Sequence, residues 1–163
     1  MPTKIYWIES FPNGSKLGIM PRPRGNEWLD DEILHLKKQK VTDLVSLLES
    51  TEIRELELGN EAAKCSEYGI EFINFPIADR HIPPPGDKIE TFIKSLSQKM
   101  DESVSIVIHC RMGIGRSSII AGAILLLKGY KANNIITQIT AARGLKVPDT
   151  EAQLSWLRKI EFN

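Results

Sequence analysis

The stretch Ser105-Ile106-Val107-Ile108-His109-Cys110-Arg111-Met112-Gly113-Ile114-Gly115-Arg116-Ser117-Ser118 decides how this chain is read. The apolar run from Val104 to Ile108 predicts a buried strand, bounded by polar residues before it and glycines after it. A short loop with two glycines follows, and then Ser117-Ser118-Ile119-Ile120-Ala121-Gly122-Ala123-Ile124-Leu125-Leu126-Leu127, which is long enough and rich enough in helix formers to be a helix. The pattern is strand, loop, helix. Cys110 ends the strand, five residues separate it from Arg116, and the helix begins at that arginine.

Each residue type has a chemical use there. The N–H groups of a tight loop and of a helix's first turn together form a cradle of positive partial charge that suits a phosphate. The same field favours a thiolate over a thiol, which makes Cys110 a candidate nucleophile. Arg116 can offer a planar fork to two phosphoryl oxygens at once. Gly113 and Gly115 let the backbone turn its amides inward. Ser117 can donate its hydroxyl to the sulfur and ease its departure. Arg111, Met112, Gly113, Ile114, Gly115 and Arg116 are therefore the expected phosphate-holding set.

Four other readings compete. A dinucleotide loop needs Gly-x-Gly-x-x-Gly, but Ser118 stands at the third glycine and no early βαβ unit carries the pattern. A Walker loop needs Gly-Lys-Ser/Thr, and that lysine is absent. A cysteine protease wants a histidine opposite the thiol, whereas His109, next in sequence, points to the other face of a strand. A buried structural cysteine leaves the arginine, the glycines and the serine unexplained.

His-Cys-x5-Arg-Ser resembles the signature of the cysteine-dependent protein phosphatases, the tyrosine and dual-specificity family. The likeness extends to Leu17-Gly18-Ile19, Pro76-Ile77-Ala78-Asp79 and Asp149-Thr150-x-x-Gln153, in that order. It is nearest to the cyclin-dependent-kinase-associated phosphatase type. The resemblance implies an α/β fold with a central, mostly parallel mixed sheet of about five strands flanked by helices. It also implies a phosphocysteine intermediate on Cys110, no metal and no cofactor. Asp79 becomes the acid for the leaving oxygen, a role its place after a strand also permits. Gln153 matches a glutamine beside the phosphate cradle. Asp149 stands where tyrosine-specific members often carry a water-positioning glutamine, or else it is the N-cap of the last helix. His109 is expected to orient the cysteine by hydrogen bonding. No Lys-Asn-Arg-Tyr-like loop is present to build a deep pocket, so the implied substrate is a phosphoprotein carrying phosphotyrosine, with phosphoserine and phosphothreonine admitted. A phosphoinositide phosphatase is the alternative within the fold, although this loop supplies only Arg111 besides Arg116. An inactive phosphate-binding module is the alternative from another class, against which Cys110, Arg116 and Asp79 all stand.

With 163 residues, 42% of them apolar, the chain suits one phosphatase domain over 1–163. Twenty-one basic and 21 acidic residues cancel, which argues against nucleic acid or a membrane surface as partner. Residues 1–9 lack the apolar core of a signal peptide, and two cysteines suit a reducing cytoplasm better than a disulfide framework. Oligomeric state leaves no mark on the sequence.

Elsewhere, Lys4–Glu9 and Lys16–Met20 read as an antiparallel edge pair, with Thr42–Leu48 and Ile70–Ile77 as further strands. Helices are expected at Trp28–Lys38, Glu61–Tyr68, Asp87–Met100, Asn133–Ala142 and from Asp149 or Thr150 to Ile160. His35 is expected to be partly buried, and Arg22 and Arg24 to be a solvated loop or an aid to an acidic substrate. Glu49–Leu58 reads as a charged excursion whose glutamates are a solvated face. Cys65 is expected to be a packed core thiol, the alternative being a redox partner for Cys110.

Overall fold

The computed structural model describes residues 1–162. Strands β1 (Tyr6–Ser10), β2 (Lys16–Met20), β3 (Asp43–Ser46), β4 (Glu71–Asn74) and β5 (Ser105–His109) form one sheet in the order β1-β2-β5-β3-β4. Only β1 runs antiparallel, against β2; the other pairings are parallel. This is the five-stranded mixed sheet that the sequence led us to expect.

The central position of β5 follows from its composition. A parallel strand covered on both faces needs apolar residues at every position, not at alternate ones. Ile106 and Ile108 point into the larger core, with Leu17, Ile19 and Val45 of the neighbouring strands. Val107 points the other way, with Met20 and Leu44, toward α1 (Leu29–Lys38) and α3 (Glu61–Glu67). The larger core is closed by α4 (Asp87–Lys99), α5 (Arg116–Leu127), α6 (Ala132–Arg143) and α7 (Glu151–Lys159). Helix α5 is buried continuously from Arg116 to Leu125 and packs against α4, α6 and α7. A helix apolar all round can sit nowhere else.

The elements differ from expectation mainly at their ends. β3 and β4 are four residues each, although single backbone bonds continue past their ends, from the Leu47 N–H to His109 O at 3.0 Å and from the Phe75 N–H to Ser46 O at 2.9 Å. The charged excursion is not a solvated loop but a short helix, α2 (Ser50–Glu55). Its Glu55 is exposed as anticipated, but Glu52 is only 5% exposed. The last helix is capped by Thr150, whose Oγ1 accepts from the Gln153 N–H at 3.1 Å, so the capping role does not fall to Asp149. His35 is half-buried, as expected.

Candidate active site

The parallel register aligns Met20 with His109, and His109 with Ser46, while Ser46 pairs with Asn74. Four strands therefore end together, and the segments after them meet at the carboxyl edge of the sheet, where α/β folds bind ligands.

The loop from Cys110 to Arg116 is held from outside by its carbonyls. Arg111 O accepts from the Arg22 N–H at 3.1 Å, and Gly115 O accepts from the Ile119 N–H at 3.2 Å. Arg143 straps the two carbonyls between, with Nη2 donating to Met112 O at 3.2 Å and Nε to Gly113 O at 3.0 Å. In a planar trans peptide the next N–H points opposite to the carbonyl. The amides of Met112, Gly113, Ile114 and Arg116 are thus turned away from those donors and toward the cavity lined by Cys110, Met112, Ile114, Gly115 and Arg116. Gly113 makes the turn at φ +69°, and a Cβ there would lie 2.7 Å from the Met20 carbonyl carbon and the Pro21 nitrogen. Gly113→Ala is therefore expected to destabilise the protein by about 2 kcal/mol, read as a lowered melting temperature.

Cys110 is 3% exposed, and its Sγ lies 3.3 Å from the Ser117 hydroxyl. Behind it, His109 is fully buried on the opposite face, with Nδ1 3.2 Å from the Cys110 carbonyl and Nε2 2.6 Å from Glu61 Oε2. That contact fixes the end of the strand from which Cys110 departs.

Arg116 is buried too, at 1% exposure. Glu52 grips it in two places, Nη1 to Oε1 at 2.7 Å and Nη2 to Oε2 at 2.9 Å. Nη1 also donates to Ile77 O at 2.8 Å, and Nη2 to Asp79 Oδ1 at 3.0 Å. Burial opposes the guanidinium charge. The Glu52 hydrogen bond and the charges of Cys110, Glu52 and Asp79 outweigh it, and the Arg116 pKa is raised. For Glu52, burial favours the neutral acid, but the Arg116 hydrogen bond, the Glu49 N–H and the charges of Arg116 and Arg111 overcome it, and its pKa is lowered. Sequence reading missed Glu52, because nothing local distinguishes it from its exposed neighbours.

These groups surround a cavity of about 70 Å³, which Asp79, Arg80, Asp149 and Gln153 complete. Arg111 and Gly113, expected among the substrate-holding residues, do not line it. The Arg111 side chain lies instead 3.7 Å from Glu52 and 3.6 Å from Glu55, and Gly113 serves through its backbone turn. Met112 lines the cavity and is 62% exposed at its mouth. Gln153 is fully buried: Oε1 accepts from the amides of Asp149 and Thr150 at 3.1 Å each, and Nε2 donates to His81 O at 3.3 Å. It ties the segment after Asp79 to the start of α7. Asp149 pairs with Arg80 at 3.1 Å. Cys65 belongs to the core cluster on the α1/α3 face, across the sheet from Cys110. Burial, followed by the charge of Glu61, pushes its thiol up to about 12. It is a packing residue, and it has no route to the Cys110 sulfur.

Among the described residues no three His, Cys, Asp or Glu side chains are grouped to hold a metal ion, and no helix is long and apolar enough to cross a membrane. A larger cavity of about 570 Å³ lies between the start of α4 and α7, lined by Ile82, Trp156 and Ile160 among others, but no cysteine, histidine or arginine faces it.

Residues 18–130, most of the chain and all of the loop, match the family model described as a polymorphic toxin system DSP-PTPase phosphatase. The chain belongs to this DSP-PTPase family. Protein tyrosine phosphatase type IVA 3 of Bos taurus is 27% identical over 121 residues, which cover 73% of this chain and 68% of the relative. Among solved structures, kinase associated phosphatase, crystallised with serine in place of its catalytic-site cysteine, superposes with a TM-score of 0.86 at 20% identity, over 98% of this chain and 94% of its own. Tk-PTP in its active form matches with a TM-score of 0.72 at 20% identity, over 96% and 97%. The DSP-PTPase fold is thus shared along nearly the whole of this chain. As a DSP-PTPase the protein is a phosphatase of the protein tyrosine and dual-specificity class, a hydrolase of phosphate monoesters.

Proposed function

We propose that residues 1–163 act as one phosphatase domain that removes phosphate from phosphotyrosine, and from phosphoserine and phosphothreonine, in protein substrates in a reducing cytoplasm. The observation that carries the reading is the convergence of Cys110, Arg116 and Asp79 on one cavity. A cavity of about 70 Å³ suits a phosphoryl group with the rest of the substrate lying outside.

The chemistry runs in two steps. The Cys110 thiolate attacks phosphorus, the bond to the leaving oxygen breaks, and Asp79, as its carboxylic acid, protonates that oxygen. Water then attacks the phosphocysteine, Asp79 takes its proton, and the S–P bond breaks to release phosphate and restore the thiolate. Ser117 donates to the departing sulfur. The amides of the loop and Arg116 hold the three non-bridging oxygens throughout.

Arg116 also suggests how Asp79 is released for its work. Four of its five N–H groups are spoken for by Glu52, Ile77 O and Asp79, and the Nε edge carries none of these bonds. A phosphate gripped through Nε and Nη2 must displace Asp79 from Nη2, so arrival of substrate frees the acid while Glu52 keeps the guanidinium in place.

The test varies the leaving group. Asp79→Asn is expected to slow a phosphotyrosine or phosphothreonine peptide by about a hundredfold, and p-nitrophenyl phosphate, whose leaving group needs no proton, far less. Wild-type turnover of both is expected to persist in EDTA. Equal slowing of good and poor leaving groups would assign the acid elsewhere.

A further inference from the structure

The catalytic cavity has a neighbour. A second cavity of about 340 Å³ opens beside it and shares two walls with it, Ile114 and Asp149. Leu145, Val147, Pro148 and Leu154 form its apolar side, with Val147 and Pro148 buried and Leu145 37% exposed at the rim, while Lys146, Thr150 and Glu151 form a polar side. Of the five large hydrophobic side chains exposed among the described residues, two stand at these cavities: Met112 lines the catalytic one and Leu145 the adjoining one. Exposed apolar groups gathered about a charged catalytic floor mark a contact with an apolar partner.

That partner is not well matched by a soluble polyphosphate, which would want cations where this wall has leucine, valine and proline; Lys146 is the one cation lining it. Nor does a formal charge of zero draw the chain to an anionic bilayer. A polypeptide fits both cavities at once. Consecutive Cα atoms lie about 3.8 Å apart, so the residue beside a phosphorylated one falls within reach of the shared Ile114 and Asp149 wall. We infer that this second cavity seats an apolar side chain next in sequence to the phosphorylated residue of a protein substrate, with Ile114 dividing phosphoryl group from side chain. The inference rests on the phosphoprotein reading above and specifies its substrate.

The experiment compares kcat/KM for two phosphotyrosine peptides, identical except that leucine or aspartate flanks the phosphotyrosine, with p-nitrophenyl phosphate as the reference. The wild type is expected to favour the leucine peptide by about tenfold or more. Leu145→Asp, at an exposed position, is expected to bring the two peptides level, each rate being taken relative to the variant's own p-nitrophenyl phosphate turnover; Leu154→Ala should narrow the gap in the same direction. Equal rates for the two peptides in the wild type, or a preference that both variants keep, would overturn the assignment of this pocket while leaving the phosphoprotein reading intact. Turnover of p-nitrophenyl phosphate and of phosphatidylinositol phosphate vesicles, with neither peptide hydrolysed, would overturn that reading and the pocket with it.

Discussion

Replacing Cys110 by serine is expected to lower kcat by about ten-thousand-fold or more while the protein still folds and still binds a phosphate-like oxyanion. The change is one atom at a buried site. The serine hydroxyl fits where the thiol was, within reach of Ser117, so packing around the start of α5 is kept. What is lost is the sulfur nucleophile, for which an un-ionised alcohol is a poor substitute. Because Arg143 and Arg22 hold the loop from outside, its shape does not depend on the sulfur, and binding of tungstate or phosphate should survive. Steady-state kinetics and oxyanion titration on the same preparation separate the two effects. Appreciable turnover by the variant would end the nucleophile assignment.

Glu52→Gln is expected to have the second largest effect, on activity and stability together. The amide nitrogen that replaces one carboxylate oxygen cannot accept from Arg116, and it leaves a guanidinium buried at 1% exposure with only the half-exposed Asp79 carboxylate beside it. Breaking a buried pair from one side costs about 3 kcal/mol or more, which in a chain of this size lowers the melting temperature by roughly 10 °C. With the guanidinium no longer fixed, turnover should fall by about a hundredfold. Glu55→Gln is the control: its carboxylate is exposed and, among the described residues, pairs only with the Arg111 side chain, so stability should stay within about 0.5 kcal/mol. A pH signature accompanies the pair. The folded-state pKa of Glu52 lies below its ordinary 4.5, so its contribution is fully present above that value. It is lost as pH falls through the lower folded value. The acid limb of the wild-type stability curve should accordingly flatten in Glu52→Gln.

The centre of the fold could be read directly from sequence, because β5, its loop and α5 are specified by local rules. An uninterrupted apolar run demands a strand buried on both faces, and glycines allow a turn at positive φ. An apolar helix must then lie inside. The residues that hold the site in place were not readable in the same way. Glu52 acts on Arg116 across 64 positions, and Glu61 acts on His109 across 48. In a single chain each looks like one more glutamate on a charged surface. The Arg111 side chain was no more legible: beside a phosphate loop a guanidinium suggests substrate, but it lies 3.7 Å from Glu52 and 3.6 Å from Glu55, contacts that no local pattern announces. Between Asp149 and Thr150, both sound capping residues, only the backbone geometry at the start of α7 decides the cap.

The most direct measurement is chemical quenching of the enzyme during turnover of a phosphorylated substrate, followed by mass analysis of its peptides. The account predicts a phosphoryl group carried by the peptide that contains Cys110, present in wild type within the first turnover and absent from Cys110→Ser. Turnover with no phosphorylated peptide, or with the phosphoryl group on any other residue, would contradict it.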